Sequence, residues 1–293
     1  NEEDLVRLAK KNQSYAAHLR HLFHRIPELA WSEEQTLGLI KDEIKTLSKT
    51  SKIPFSLVEK KGGVWVDIDF YEAGKRLLFR ADIDALPINE TTHLPYCSKI
   101  KGHMHACGHD THIAMLLTTL KIFSEGTYKP KHNIRLVWQR AEEVGTSDSS
   151  GGNFLVQEGA LEDISFCYAL HISSTEHYGT FFSKPGCVMC NTGQLQIKIV
   201  CSGGHVNNPE CGSSAIDIMT DIHLALRELA LGPFEPNKKI LLVPAISQAG
   251  NACNIRPDKG EMWYSVRSFQ NQKNINDFIA SIKKRVELIT ARY

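Results

Sequence analysis

Met104-His105-Ala106-Cys107-Gly108-His109-Asp110-Thr111-His112 runs directly into the apolar residues Ile113-Ala114-Met115-Leu116-Leu117. The first stretch holds three histidines, one cysteine and one aspartate within nine residues. Thiolate and imidazole bind zinc and the manganese-to-nickel ions well, so this composition suits a transition metal. Gly108 frees the backbone to turn, so that Cys107 and His109 can converge on one ion. From Thr111 onward, Ile113, Leu116, Leu117, Leu120 and Phe123 recur at helical spacing. That spacing puts Cys107 and His109 at a helix N-terminus, where the dipole favours a thiolate. Any one of these histidines alone would read as an ordinary loop residue; the constellation is what points to a metal.

Outward from this loop, three apolar runs read as buried strands. Residues 76–81 end in Asp82-Ile83-Asp84, residues 134–138 end in Gln139-Arg140-Ala141-Glu142-Glu143, and residues 164–170 end in His171. Helical patterns lie between them, the last at residues 153–158. This alternation predicts an α/β fold with a mostly parallel sheet flanked by helices. Open sheets of that kind bind ligands at the carboxyl ends of their strands. All three runs end in side chains that can hold a metal or move a proton. Adjacent carboxylates can also divide the work, one binding metal while the other serves as general base. Nearer the start, residues 5–23 read as a single helix stopped by Pro27. Ser32 with Gln35 forms a capping box for a helix over 33–47, and residues 64–70 alternate like a strand.

The texture changes at Gln194. Residues 195–199 alternate strictly, 214–231 are helical, 239–247 and 261–268 are strands, and 275–290 are helical. This β-α-β-β-α order lacks one strand of a split βαβ sandwich. The expected organisation is a catalytic α/β domain over 1–190 and an inserted α+β lid of ferredoxin-like type over 191–293. A chain of 293 residues is long enough for two such cores.

A formal net charge of +1 removes any electrostatic case for a nucleic-acid or anionic-membrane partner. The acidic opening Asn1-Glu2-Glu3-Asp4, with no long apolar run after it, shows no signal peptide or membrane span. The missing initial Met reads as a trimmed chain. Eight cysteines without framework spacing read as reduced thiols of a cytoplasmic protein. Cys187 and Cys190 form a lone CxxC without a second pair, and read as two cysteines near a strand.

Phe79-Arg80-Ala81-Asp82-Ile83-Asp84-Ala85-Leu86-Pro87, the 104–112 loop, residues 139–143 and Leu170-His171 resemble the signature blocks of the peptidase M20 amidohydrolases. They are most similar to the branch of N-acyl-L-amino acid amidohydrolases and auxin-conjugate hydrolases. His24-Arg25-Ile26-Pro27-Glu28-Leu29, Gly203-Gly204-His205 and residues 251–260 and 265–269 extend the match, in order, over essentially the whole chain. The resemblance implies a dinuclear metal hydrolase acting on linear amide bonds, with Cys107, His109, Glu143 and His171 as metal ligands. Glu142 would be the general base, Asp84 an acidic support of the site, and His205 a lid residue that polarises the scissile carbonyl. Asn254 and Arg267 would hold the substrate carboxylate. The implied cofactors are two divalent ions, Mn2+ or Zn2+, with Co2+ or Ni2+ as alternatives. The implied partners are a small N-acylated amino acid or peptide-like substrate and a second copy of the chain, bound through the lid.

Two rivals remain: a dipeptidase or carboxypeptidase on the same scaffold, and a catalytically inactive binding or dimerisation homologue. Three departures from the family pattern bear on them. Arg140 stands where the family usually has Pro, and Val206-Asn207-Asn208 replaces small residues after the Gly-Gly-His. The chain also stops at Tyr293, where a return to the catalytic domain with a further histidine ligand is expected. The sequence is therefore expected to be C-terminally incomplete, with the last lid strand absent.

Overall fold

The computed structural model describes residues 2–72, 74–144, 147–208, 210, 212–231 and 240–293. The chain divides into two compact units, Asn1–His177 and Tyr178–Tyr293.

The first unit opens with helices α1 (Glu2–Lys11), α2 (Gln13–His24) and α3 (Glu34–Thr50). The single helix expected over 5–23 is broken at Asn12, whose side-chain amide donates to the Leu8 carbonyl at 2.9 Å. The expected capping box does not form, because no side chain caps α3 from its own N-cap position. Instead the Glu28 carboxylate accepts from the Gln35 and Thr36 N–H groups at 3.1 and 2.7 Å. A full negative charge at a helix N-terminus serves the same orphan donors as a Ser hydroxyl, and gains from the dipole as well.

Strands β1 (Phe55–Lys60), β2 (Gly63–Ile68), β3 (Arg76–Asp82), β4 (Asn133–Gln139) and β5 (Ile164–Ala169) form one sheet in the order β1-β2-β4-β3-β5. Helix α4 (His109–Ser124) connects β3 to β4, and the short α5 (Gly151–Gln157) precedes β5. β3 pairs in parallel with both β4 and β5, whereas β2 runs antiparallel to β1 and to β4. The sheet is therefore mixed rather than mostly parallel. The physical reason is local: Lys60 pairs with Gly63, so a two-residue turn returns the chain as a hairpin, and only a helical crossover can bring it back parallel.

Every residue of β4 is buried, and the faces of the sheet alternate as period-2 geometry requires. Val64, Val66, Ile134, Leu136 and Trp138 pack with Phe23, Ile40, Ile44, Ile113, Leu117 and Leu120 from α2, α3 and α4. Trp65 and Val137 face the other way, onto Leu78, Leu155 and Ala160. Each large apolar side chain so buried contributes roughly 1.5–3 kcal/mol. The parallel strands β3, β4 and β5 end along one edge of the sheet. β4 is buried throughout, while β5, expected as a buried strand, is exposed from Phe166 onward because it lies last in the sheet order, with a neighbour on one side only among the described residues.

The second unit holds β6 (Asn191–Val200), β7 (Gly204–His205), α6 (Ala215–Leu231), β8 (Ile240–Ala249), β9 (Ile255–Arg256), β10 (Lys259–Ser268) and α7 (Gln272–Thr290). β6, β10 and β8 form an antiparallel sheet in that order, and β7 pairs with β9. Ile218, Ile222 and Leu226 of α6 and Phe278, Ile282 and Ile289 of α7 share its core with Ile199, Met262 and Tyr264. Residue 239, the first of the expected 239–247 strand, lies outside the described residues. No helix among the described residues is long and apolar enough to cross a membrane. The seven described cysteines are free thiols.

Candidate metal centre

Because β3, β4 and β5 are parallel, Asp82, the 140–143 loop and His171 leave the sheet at the same edge. Gly108 turns the chain into α4 beside them with φ +86°, a left-handed value that glycine adopts without strain. A Cβ there would run into Ile172 Cδ1. The turn fixes His109 as the first residue of α4, fully buried. Its Nδ1 lies 2.8 Å from the Asp84 backbone carbonyl, which can only accept, so Nδ1 carries the proton. The lone pair of Nε2 is then free, and Nε2 is buried without a hydrogen-bond partner among the described residues. It faces Asp82 Oδ2 at 3.6 Å, Glu142 Oε2 at 4.0 Å and Glu143 Oε1 at 4.0 Å.

A buried acceptor pointed at three carboxylates demands a positive charge between them. Burial lowers the His109 pKa, but hydrogen bonding to Asp84 and the charge of Asp82 more than reverse this and raise it overall. The direction of that shift shows that the surroundings of His109 favour a positive charge. The other donors stand close. Ligand atoms of Cys107, His109 and His171 lie within 4.8 Å of one another, as do those of His109, Glu142 and Glu143. Cys107 Sγ is 3.3 Å from His171 Nε2. The donor set of one thiol, two imidazoles and a carboxylate, with a histidine proton already given to a backbone carbonyl, fits a transition-metal site.

The helix dipole alone does not make Cys107 a thiolate in the metal-free chain. Burial, then Glu143 and Glu142, push the thiol up to about 12. A dipole effect of roughly 0.3–1 kcal/mol is outweighed by desolvation and two carboxylates. Glu142 is raised above the ordinary carboxylate value by burial and by the charge of Glu143, and its side chain remains open to solvent.

The loop that presents these glutamates is held from below. Ala141 is buried with φ +46°, a strained value for a residue with a Cβ. Its N–H donates to Glu33 Oε1 at 2.6 Å, and Arg140 Nε donates to Glu33 Oε2 at 3.0 Å. Asp84 Oδ2 accepts from the Glu143 N–H at 2.8 Å, so one aspartate braces both His109 and Glu143. Sequence reasoning placed Asp84 and missed Glu33, whose only signal was its position at the start of α3. It also missed a second buried cluster. Asp110 Oδ2 lies 2.8 Å from His24 Nδ1 and accepts from Arg20 Nε at 3.3 Å, while His24 Nε2 reaches Glu90 Oε1 at 3.2 Å. Hydrogen bonding to Asp110 raises the His24 pKa, and burial drives the neighbouring His105 down to about 4. The cluster ties α2 to the first turn of α4.

Residues 78–287 match the model of peptidase family M20/M25/M40. The chain belongs to this family. The N-acetyl-L-cysteine deacetylase of Bacillus subtilis (strain 168) is 33% identical over 271 residues, covering 92% of this chain and 63% of its own length. Thermostable carboxypeptidase 1 of Saccharolobus solfataricus is 30% identical over 273 residues, covering 90% of this chain and 67% of its own length. Among solved structures, the Bacillus subtilis YXEP protein, described as a dinuclear metal binding peptidase from the M20 family, superposes with a TM-score of 0.77. It is 26% identical, with 97% of this chain and 72% of that chain covered. The chain thus spans 63% and 67% of the two curated relatives it matches here. The family read from the signature blocks is the family found.

Within this M20 chain, Arg140 at the usual Pro position leaves the metal-facing side alone. Its N–H donates to the Gly62 carbonyl at 2.9 Å, which Pro could not do, and its guanidinium pairs with Glu33 and Glu34. In the second unit, His205 pairs with Ile255, and the Val206 N–H donates to the Asn254 carbonyl at 3.3 Å, so His205 and Asn254 share one edge. Arg267 pairs with Thr192 near the far end of β10. Eight residues along a strand from Lys259 to Arg267 amount to roughly 26 Å. The structure therefore does not bring Arg267 to His205 and Asn254 within this unit.

Proposed function

We propose that this chain is the metal-binding part of an amidohydrolase that cleaves the amide of N-acylated amino acids or similar small conjugates. The observation that carries this reading is the free, buried Nε2 lone pair of His109, aimed at Asp82, Glu142 and Glu143 beside Cys107 and His171. Cys107, His109, Glu143 and His171 would hold two divalent ions, Mn2+ or Zn2+, with Co2+ or Ni2+ as substitutes. When bound, such ions polarise the scissile carbonyl and lower the pKa of the attacking water. Glu142, raised and solvent-open, takes the proton of that water and later delivers it to the leaving amine. Asp84 keeps His109 in its ligating tautomer and fixes the Glu143 backbone.

The catalytic domain would run over 1–190 and the lid over 191–293. His205 would donate to the oxyanion, while Asn254 and Arg267 grip the substrate carboxylate. The roughly 26 Å along β10 from Lys259 to Arg267 supports service by two copies, one giving His205 and Asn254 and the other Arg267. A homodimer through the lid follows from that reading.

A panel of N-acetyl amino acids and dipeptides, assayed with Mn2+ and Zn2+, tests it. Turnover of the N-acetyl compounds, abolished by chelator and restored by metal, is expected. Turnover of dipeptides alone would make this a peptidase, and turnover of neither with metal bound would favour an inactive homologue.

A further inference from the structure

His112 lies one turn after His109 on α4, and both of its ring nitrogens are already engaged. Nδ1 is 2.6 Å from Asp82 Oδ1, and Nε2 is 3.1 Å from the backbone N–H of Ile172. An N–H can only donate, so Nε2 accepts and Nδ1 carries the proton to Asp82. Asp82 is held in turn by Arg80 Nη1 at 2.7 Å, and Arg80 Nε donates to Gln139 Oε1 at 2.9 Å. The chain of contacts runs from the ends of β3 and β4, through His112, to the residue directly after His171.

Ile172 is clamped a second time, since its Cδ1 occupies the space that a Cβ on Gly108 would need. Its backbone is thus tied to α4 and its side chain to the turn between Cys107 and His109. His171 itself stands with its ring 4.9 Å from that of His112 and its Nε2 3.3 Å from Cys107 Sγ. Asp82, His109 and His112 form a group of potential ligand atoms within 4.8 Å, which would allow His112 to hold an ion. The donated Ile172 N–H consumes the only lone pair it could offer.

We propose that His112 is a positioning residue: with Asp82 setting its tautomer, it holds the Ile172 N–H and so keeps His171 in register with Cys107 and His109. What is positioned rests on the metal-site reading above, but the latch itself does not.

Two substitutions separate the contacts. His112→Asn keeps a donor for Asp82 and is too short to reach Ile172, while His112→Gln keeps an acceptor at the Nε2 position. Hydrogen–deuterium exchange of metal-free protein is the first readout. The Ile172 amide is expected to be protected in wild type and His112→Gln, and to exchange at least roughly tenfold faster in His112→Asn with α4 unchanged. Titration with Co2+, followed by thiolate-to-cobalt absorption, is the second. His112→Asn is expected to lose roughly 10- to 100-fold in affinity at unchanged stoichiometry, with most of it recovered in His112→Gln. Equal exchange at Ile172 in all three proteins would overturn the proposal. Loss of one bound ion in both variants would also overturn it, by making His112 a ligand. If wild type takes up no cobalt, the metal-site reading falls, and the exchange result still decides the latch.

Discussion

Glu142→Ala should lower kcat by roughly 10²- to 10⁴-fold while keeping its metal, whereas Glu143→Ala should lose both. The two carboxylates are adjacent, and each has an oxygen 4.0 Å from His109 Nε2, so distance alone does not separate them. Their backbones do. The Glu143 N–H is fixed by Asp84, which also fixes His109, so Glu143 shares the brace of a ligand. Glu142 follows the strained Ala141, is the more exposed of the two, and has its pKa raised by burial and by Glu143. Its carboxylate is the active form, so activity should fall on the acid side of the pH profile as it is protonated, a limb the alanine variant should lack. Metal content and kcat measured on both variants check this; equal metal loss would cancel the division of roles.

The second large effect is a pH dependence of metal affinity. In the metal-free chain the Cys107 thiol sits at about 12, so at neutral pH it is protonated. A thiolate ligand requires that proton to leave, which should make the apparent affinity rise roughly tenfold per pH unit, or roughly 100-fold from pH 7 to 9. His109, raised above its ordinary value, should release a second proton and steepen the slope below its own pKa. Competition against a chromophoric chelator at several pH values measures the slope. Cys107→Ser should bind more weakly and lose the rise between pH 7 and 9. A flat profile in wild type would mean that Cys107 is not a ligand.

The residues that do chemistry were legible because their types are unusual where they stand. Asp82 and Asp84, Glu142 and Glu143, and His171 each end an apolar run, and parallel pairing of β3 with β4 and β5 was enough to bring them together. In the antiparallel half of the sheet β2 was legible as an alternating run over 64–70, whereas β1 was not. β1 has three half-buried and three exposed residues, and its Lys61-Gly62 turn is a weak signal beside Asn-Gly or Asp-Gly. The supports of the site were hidden for a different reason. Glu33 has no pattern of its own, while Glu28, Asp110 and His112 stand inside the recognised blocks with nothing to mark them as supports, since a carboxylate that caps a helix is the same letter as one in water. Only burial and partner identity separate them. The thiol of Cys107 shows the same limit: the helix start was visible in sequence, but the carboxylates that outweigh its dipole come from loops far along the chain.

The central claim is that Cys107, His109, Glu143 and His171 hold transition-metal ions. Elemental analysis of protein purified without chelator, beside His109→Ala, tests it most directly. One or more zinc, manganese, cobalt or nickel ions per chain in wild type, and loss of them in the variant, is the predicted result. Wild-type protein free of these metals, and still free after dialysis against each of them, would contradict it.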